Sequence, residues 1–509
     1  MAFRREDYLA IILGVLALAL QLLTPNVLGF HRDELLYISM AEHPAAGYNS
    51  VPPFIGIMAF LSVRIFGFTL FATKFLPAVT GGLLVYIIAS MAKEMKGGPF
   101  SQVLSVLSFV ATVLFIRVYS LFQPVPFDLF FWTLLIFILL RFINTRNPDL
   151  IILFGIVTGI AFLNKYNIVF LIIPVLVALS FSKYRKLFAS RHLWLAFIIA
   201  IVIALPNLIW QYLHDFPVIR HMSELRSSQL VNMSPATFLS EQLLMVMPST
   251  LIILPGIVWF LISKEMKEYR ILGWVCIGVL ALFLLLKGKS YYSAGIYPFL
   301  SAVGGTFFAI KVKNRYIRVL MVLVILFSGY VSFPMAKPIH SPEKLEQYFD
   351  GMASVIGNDA IRRDEKNNYN KLPQDYSDML GWDELAEITA AAWRKCDPDS
   401  TIIFCENYGQ AGAITVLGKQ YGLPQSVSFA ESFIYWAPKS FTNEISTLIY
   451  INWELASDVG ALFEKIEIEG KISNPYAREK GATVYVCRKP RESFNRHYEL
   501  RYQEITAEK

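Results

Sequence analysis

Charge is what this sequence has least of. Asp, Glu, Lys and Arg make up 17% of its 509 residues, where a soluble domain carries about a quarter. With 55% hydrophobic residues, the chain falls outside the soluble globular class before any motif is read. Cysteine is scarce as well: four residues in the whole chain exclude a disulfide-stapled scaffold. Cys276 lies in an apolar run, and Cys396, Cys405 and Cys487 lie in a polar tail. Cys396 and Cys405 are near enough in sequence to pair, although buried free thiols are the default. No His, Cys, Asp and Glu spacing makes a metal site, and no Walker A, ordered Ser-His-Asp or zincin motif is present. The net charge of +7 does not point to nucleic acid, because the basic residues sit in short clusters between apolar runs.

What the sequence does have is a succession of long apolar runs. A spanning helix needs roughly 20 mainly apolar residues, and runs at 8–28, 70–92, 101–118, 126–142, 150–164, 167–182, 193–212, 242–262, 271–287, 293–310 and 317–335 predict about eleven spans. The stretch Tyr8–Leu28 is too long for a signal-peptide core and no cleavage site follows it, so it is expected to be a retained first span. Lys and Arg alternate strictly between loops. Arg4/Arg5, Lys93/Lys96, Arg141/Arg146, Lys183/Arg185/Lys186/Arg191, Lys264/Lys267/Arg270 and Lys311/Lys313/Arg315/Arg318 fall on one side, the cytoplasmic one by the positive-inside rule. That orientation puts Asp33, Asp128, Lys165, His214, Lys287 and the tail outside the cytoplasm. Segment 52–69 opens with Pro52-Pro53 and contains Arg64 and Gly67; it is expected to lie along the outer interface. The long loop 213–241 suits a lid or a plain connector.

From about Pro338 the composition becomes that of a soluble domain, with strand-like pieces at Thr401–Cys405, Leu448–Asn452 and Thr483–Cys487 and a helical stretch at Trp382–Arg394. The expected organisation is a polytopic α-helical membrane domain over 1–337 and an α/β domain over 338–509, about 170 residues and close to the common domain size. Asn407-Tyr408-Gly409-Gln410-Ala411-Gly412-Ala413 follows a strand and opens a helix, but it lacks the G-x-G-x-x-G of a dinucleotide site.

The chemistry-bearing stretch is Phe30-His31-Arg32-Asp33-Glu34-Leu35-Leu36-Tyr37, just past the first span. Asp33 and Glu34 have two readings: first-turn acids of a short interfacial helix, 35–42, or a general base whose basicity is raised by apolar surroundings. Asp128 follows Pro124-Val125-Pro126-Phe127 and is either a helix cap or a second acid facing Asp33. Lys165, and Lys287 with Lys289 ahead of Tyr291-Tyr292, stand against the topological bias. They suit a bound anion, with a lipid-linked phosphate as the natural one, or else contacts with lipid headgroups. His31 is expected at the surface.

These pieces resemble the bacterial branch of glycosyltransferase family 39, the GT-C-fold relatives of protein O-mannosyltransferases and of the lipid A aminoarabinose transferase. The likeness runs through the first-loop motif, Gly47-Tyr48, Pro52-Pro53, Phe127-Asp128, Gly159 to Tyr166, Tyr291-Tyr292, Tyr297-Pro298, Asn407 to Ala413, Tyr421-Gly422-Leu423-Pro424 and Tyr435-Trp436. It implies that Asp33 is the catalytic acid and Asp128 the second-loop acid. Donor binding would involve His31, Arg32, Glu34, Tyr37, Lys165, Lys287, Lys289, Tyr291 and Tyr292. Two departures stand out: Ser50 and Val51 occupy the place before Pro52-Pro53 where the family commonly has an acid, and Leu36 stands where the aminoarabinose enzyme has Arg.

The expected function is transfer of a sugar from a polyprenyl-phosphate donor to a lipid, glycan or protein hydroxyl, by one inverting displacement with Asp33 as base. The expected setting is the inner (cytoplasmic) membrane among membrane lipids, with the tail extracytoplasmic and no nucleic-acid partner. No cofactor is certain; a divalent cation is the one left open. The rivals are a lipid or glycan flippase, which should show internal symmetry that this sequence lacks, and a non-catalytic envelope assembly protein.

Overall fold

The structure, a computed structural model, describes residues 5–228, 233–357, 359–363 and 368–508. Arg4 and the side chain of Arg5, counted above among the basic residues, lie outside it, as do residues 229–232 of the long loop. Among the described residues, six helices are singly long and apolar enough to cross a membrane, and eight if the bent pairs Tyr166–Ser180 with Lys183–Ala189 and Pro235–Met245 with Thr250–Ile262 each count once. The remaining runs, 101–118, 150–164 and 271–287, fold as the shorter apolar helices Gly98–Val110, Asp149–Asn164 and Arg270–Leu285. The first is cut short because Thr112 caps a new turn, its hydroxyl accepting from the Phe115 amide at 3.2 Å. Segment 52–69 forms the helix Phe54–Phe66, which ends on Gly67 at φ +67°.

The helices sort by surroundings. The hydrophobic windows of Leu70–Glu94, Pro124–Thr145 and Ser290–Lys311 are 72, 78 and 83% buried, whereas those of Arg191–Leu213 and Arg315–Ala336 are 17% buried. A helix apolar on every side that leaves Phe197, Val202, Leu320 and Phe327 exposed presents them to lipid, since water would penalise them. Small residues let backbones close up where lipid supplies no hydrophobic drive. A Cβ on Gly155 would lie 2.4 Å from the Ala196 carbonyl oxygen, and one on Gly256 would lie 2.5 Å from Gly304 Cα.

Loops that the charge alternation assigned to one side meet at one end of the bundle. Lys93 pairs with Asp7, Arg141 with Glu94 at 3.5 Å, Arg146 with Glu268 at 3.3 Å, and Lys183 also with Glu268. The opposite end carries the first-loop helix and the C-terminal region.

That region holds a four-stranded sheet, β1 (Thr401–Cys405), β2 (Thr447–Asn452), β3 (Phe463–Lys471) and β4 (Thr483–Pro490), in the order β1-β2-β4-β3. β1 and β2 are parallel and the other pairs antiparallel. Because strand side chains alternate faces, Ile403, Ile449, Ile451, Val484 and Val486 join the core shared with the helical bundle. Ile402, Leu448, Tyr450 and Cys487 join a second core with Phe494 and Tyr498 of the last helix. β3 was not foreseen: its sequence Phe463-Glu464-Lys465-Ile466-Glu467 is charged and largely exposed, as an edge strand tolerates and an interior one does not. All four cysteines, including Cys396 and Cys405, are free thiols.

Candidate active site

The first-loop motif folds as the helix Arg32–Ser39, three residues earlier than the expected 35–42. It starts there because His31 caps it: the ring Nδ1 accepts from the Asp33 amide at 3.1 Å. Glu34 returns the bond, its Oε2 accepting from the His31 amide at 2.9 Å, which completes a capping box. His31 is therefore not a surface residue; it is 4% exposed. The second Glu34 oxygen accepts from the Phe122 amide at 2.8 Å, stapling the first loop to the turn before the helix Pro124–Thr145. Burial pushes the Glu34 carboxyl above the usual range, opposed by those two amide donors. Glu34 is spent on structure, whereas its neighbour points outward. Asp33 Oδ2 accepts from Gln123 Nε2 at 3.1 Å and Oδ1 accepts from the Tyr408 hydroxyl at 2.9 Å.

Tyr408 opens the helix Tyr408–Leu417, whose N-cap Asn407 accepts from the amides of Gly409 and Gln410 at 2.9 and 3.0 Å. The foreseen Asn407–Ala413 motif is thus a docking element, set against the first-loop helix by close approach. A Cβ on Gly412 would sit 2.9 Å from the Leu35 carbonyl carbon, and one on Gly409 would sit 2.7 Å from Arg32 Cγ. Arg32 stacks its guanidinium over the Tyr408 ring at 4.1 Å.

Two cavities meet at Asp33. The larger, about 720 Å³, is lined by Asp33, Tyr37, Lys165, Lys289, Tyr291 and Tyr292 among polar groups and by Phe170, Phe283 and Leu286 among apolar ones. The smaller, about 580 Å³, is lined by His31, Arg32, Asp33, Arg117, Asp378, Tyr408 and Arg478. Asp33, Gln123, Tyr291 and Tyr408 line both.

Lys165 Nζ lies 5.2 Å over the Tyr291 ring and 5.0 Å over that of Tyr292. Asp128 sits behind this wall, within the helix Pro124–Thr145 rather than capping it, and its Oδ2 accepts from Asn167 at 3.0 Å. Its carboxyl group lies close enough to Lys165 for the two to interact. Like Glu34 and Asp128, Lys287 lines neither cavity. Its side chain is exposed and does not line the cavity; its left-handed backbone (φ +54°) makes the turn that carries Lys289 in.

Several residues at the site carry no signal in the sequence. Gln123, Arg117, Arg478, His221 and Glu431 reach it through contacts between distant segments. The helix Pro217–Ser228, from the long loop, lines the larger cavity through Val218, Ile219, His221, Met222 and Leu225. Among the described residues, no three His, Cys, Asp or Glu side chains gather as a metal-ligand set.

Residues 50–210 match the family model for dolichyl-phosphate-mannose-protein mannosyltransferase. The fold aligns with ArnT from Cupriavidus metallidurans bound to undecaprenyl phosphate at a TM-score of 0.62, over 94% of this chain and 97% of that one, with 14% identity. This is a GT-C fold. The apo form of the same ArnT aligns at 0.59, and the GT-C alignment takes in the C-terminal region as well as the helices. Two curated proteins of Rhizobium johnstonii are also similar. Lipid A galacturonosyltransferase RgtD is 24% identical over 43% of this chain and 46% of its own length. Lipopolysaccharide core galacturonosyltransferase RgtA is 27% identical over 38% and 39%. The chain thus spans less than half the length of the curated relatives it matches. The family match includes Asp128 and Lys165 but neither Asp33 nor Tyr408.

Proposed function

We propose that this chain is an integral-membrane glycosyltransferase. It moves a sugar from a polyprenyl-phosphate donor to an acceptor hydroxyl at the extracytoplasmic face of the inner membrane, with Asp33 as the base. The observation that carries this is the position of Asp33 on the wall common to two cavities of different chemistry.

The larger cavity offers what a lipid phosphate requires, cations at Lys165 and Lys289 beside the apolar Phe170, Phe283 and Leu286. The ArnT of like fold was solved with undecaprenyl phosphate, a ligand of that class. The smaller cavity, with Arg32, Arg117 and Arg478, suits an acceptor. Arg117 is paired with Asp375, and Arg478 with Asp378 at 3.2 Å.

Asp33 takes the proton of the acceptor hydroxyl as that oxygen bonds to the anomeric carbon. The bond from that carbon to the phosphate oxygen breaks on the opposite face, so the configuration inverts. Lys165 and Lys289 stabilise the charge that grows on the departing phosphate. Tyr408 and Gln123, each donating to one Asp33 oxygen, fix the direction in which the carboxylate is aimed. Asp33→Asn should lower transfer by about 10²- to 10⁴-fold, the usual contribution of a general base, while the protein remains monodisperse and inserted. Full transfer by that variant, measured with radiolabelled lipid-linked sugar, refutes the assignment.

A further inference from the structure

Glu431 is the group at this site that the chemistry above leaves unused. It comes from the C-terminal region, at the start of the turn Glu431–Tyr435, with a left-handed backbone at φ +53°. That conformation disfavours residues with a Cβ and recurs where a side chain must be delivered to a particular place. Its Oε2 accepts from the Ser50 hydroxyl at 3.1 Å, and its Oε1 lies 3.9 Å from His221 Nδ1. The side chain is 14% exposed and lines the larger cavity with Asp33. The carboxylate thus stands beside Ser50, two residues before Pro52-Pro53.

The charges in that cavity divide by task. Lys165 and Lys289 are the fixed cations, and a lipid phosphate takes both. The sugar must then lie toward Asp33 and Glu431. A carboxylate on the sugar would bring a third negative charge into a site partly shut off from water, where like charges a few ångströms apart repel one another more than they do in bulk water. Hydroxyl or ammonium groups would instead donate to Glu431. We propose that Glu431 determines sugar specificity, accepting a hydrogen bond from a neutral or amino sugar on the lipid phosphate and rejecting a uronic acid. This rests on the glycosyltransferase reading, and it departs from the galacturonosyl transfer for which the two curated relatives are named.

The test uses the full-length protein in nanodiscs and three donors: undecaprenyl phosphate linked to galactose, galactosamine or galacturonic acid. Binding is read by thermal shift and transfer is read separately. The native protein should bind the galactosyl or galactosaminyl donor more tightly than the galacturonosyl one. Glu431→Gln keeps the size and the acceptor for Ser50 but removes the charge, so it should raise relative binding of the galacturonosyl donor by about tenfold. Ser50→Ala breaks the loop contact and leaves the charge, so it should not move that ratio. The proposal is overturned by native preference for the galacturonosyl donor, by binding of none of the three, by an unchanged ratio in Glu431→Gln, or by an equal change in Ser50→Ala. Selective binding without transfer to any acceptor would defeat the catalytic reading and leave the role of Glu431 standing.

Discussion

The Tyr408 hydroxyl, on a helix of the C-terminal region, donates a 2.9 Å hydrogen bond to Asp33 in the first loop, 375 residues away in sequence. One oxygen of the proposed base is therefore held by the C-terminal region and the other, through Gln123 at 3.1 Å, by the helical bundle. A hydrogen bond to a charged group contributes about 1.5–3 kcal/mol. Tyr408→Phe, which keeps the ring under Arg32, should lower kcat roughly 10- to 100-fold with little change in donor KM. Equal loss in KM and kcat would mean that the bond only tethers the two regions.

The same junction depends on a missing side chain. Gly412 meets the Leu35 backbone where a Cβ would be 2.9 Å away, so Gly412→Val must lift the docking helix off the first-loop helix and carry Tyr408 with it. Overpacking of this kind costs about 1–3 kcal/mol. The expected result is an inserted protein with little transfer and faster limited proteolysis between 338 and 509; native-like cleavage and activity would show that the contact is slack.

Lys165, Lys289 and Lys287 should behave differently although the sequence groups them. Lys165 and Lys289 line the larger cavity and Lys287 does not. Replacing either of the first two by Ala should cost about 3 kcal/mol of stabilisation of the leaving phosphate, roughly a hundredfold in kcat/KM. Lys287→Ala should stay near the native rate. A steady-state series with one lipid-linked donor distinguishes the three.

Glu431 also predicts a pH-dependent stability. Burial raises its carboxyl above the ordinary value of 4.5, more than the nearby His221 lowers it. A group that holds its proton more tightly when folded contributes stability below its unfolded pKa and loses it as pH rises through the folded one. At neutral pH the ionised Glu431 is thus a cost, and Glu431→Gln should melt at a higher temperature than the native protein. The gap should close as pH falls toward 4.5. A lower melting temperature at neutral pH would mean that the pairing with His221 outweighs burial.

Much of this was legible in the chain. Apolar runs located the helices, and alternating Lys and Arg sorted the loops into two groups; Arg146, Lys183 and Glu268 of one group meet in space. β1 at Thr401–Cys405 and the helix opening at Tyr408 coincide with their expected places. Glu34 shows where local pattern fell short. Spacing made it the equal of Asp33, and the His31 amide of the capping box with the Phe122 amide, 88 positions on, assigns it to structure. Lys287 and Lys289 differ likewise through one left-handed turn.

Composition and periodicity by themselves determined a polytopic helical bundle with a polar α/β tail, because burying apolar surface and sorting charge across a membrane act on residues near one another in the chain. Tertiary structure alone decided that Asp33 stands between two cavities, that Tyr408 holds it and that Glu431 meets Ser50. Those are meetings of segments hundreds of residues apart, and only the packing of one region against the other sets the distances between them.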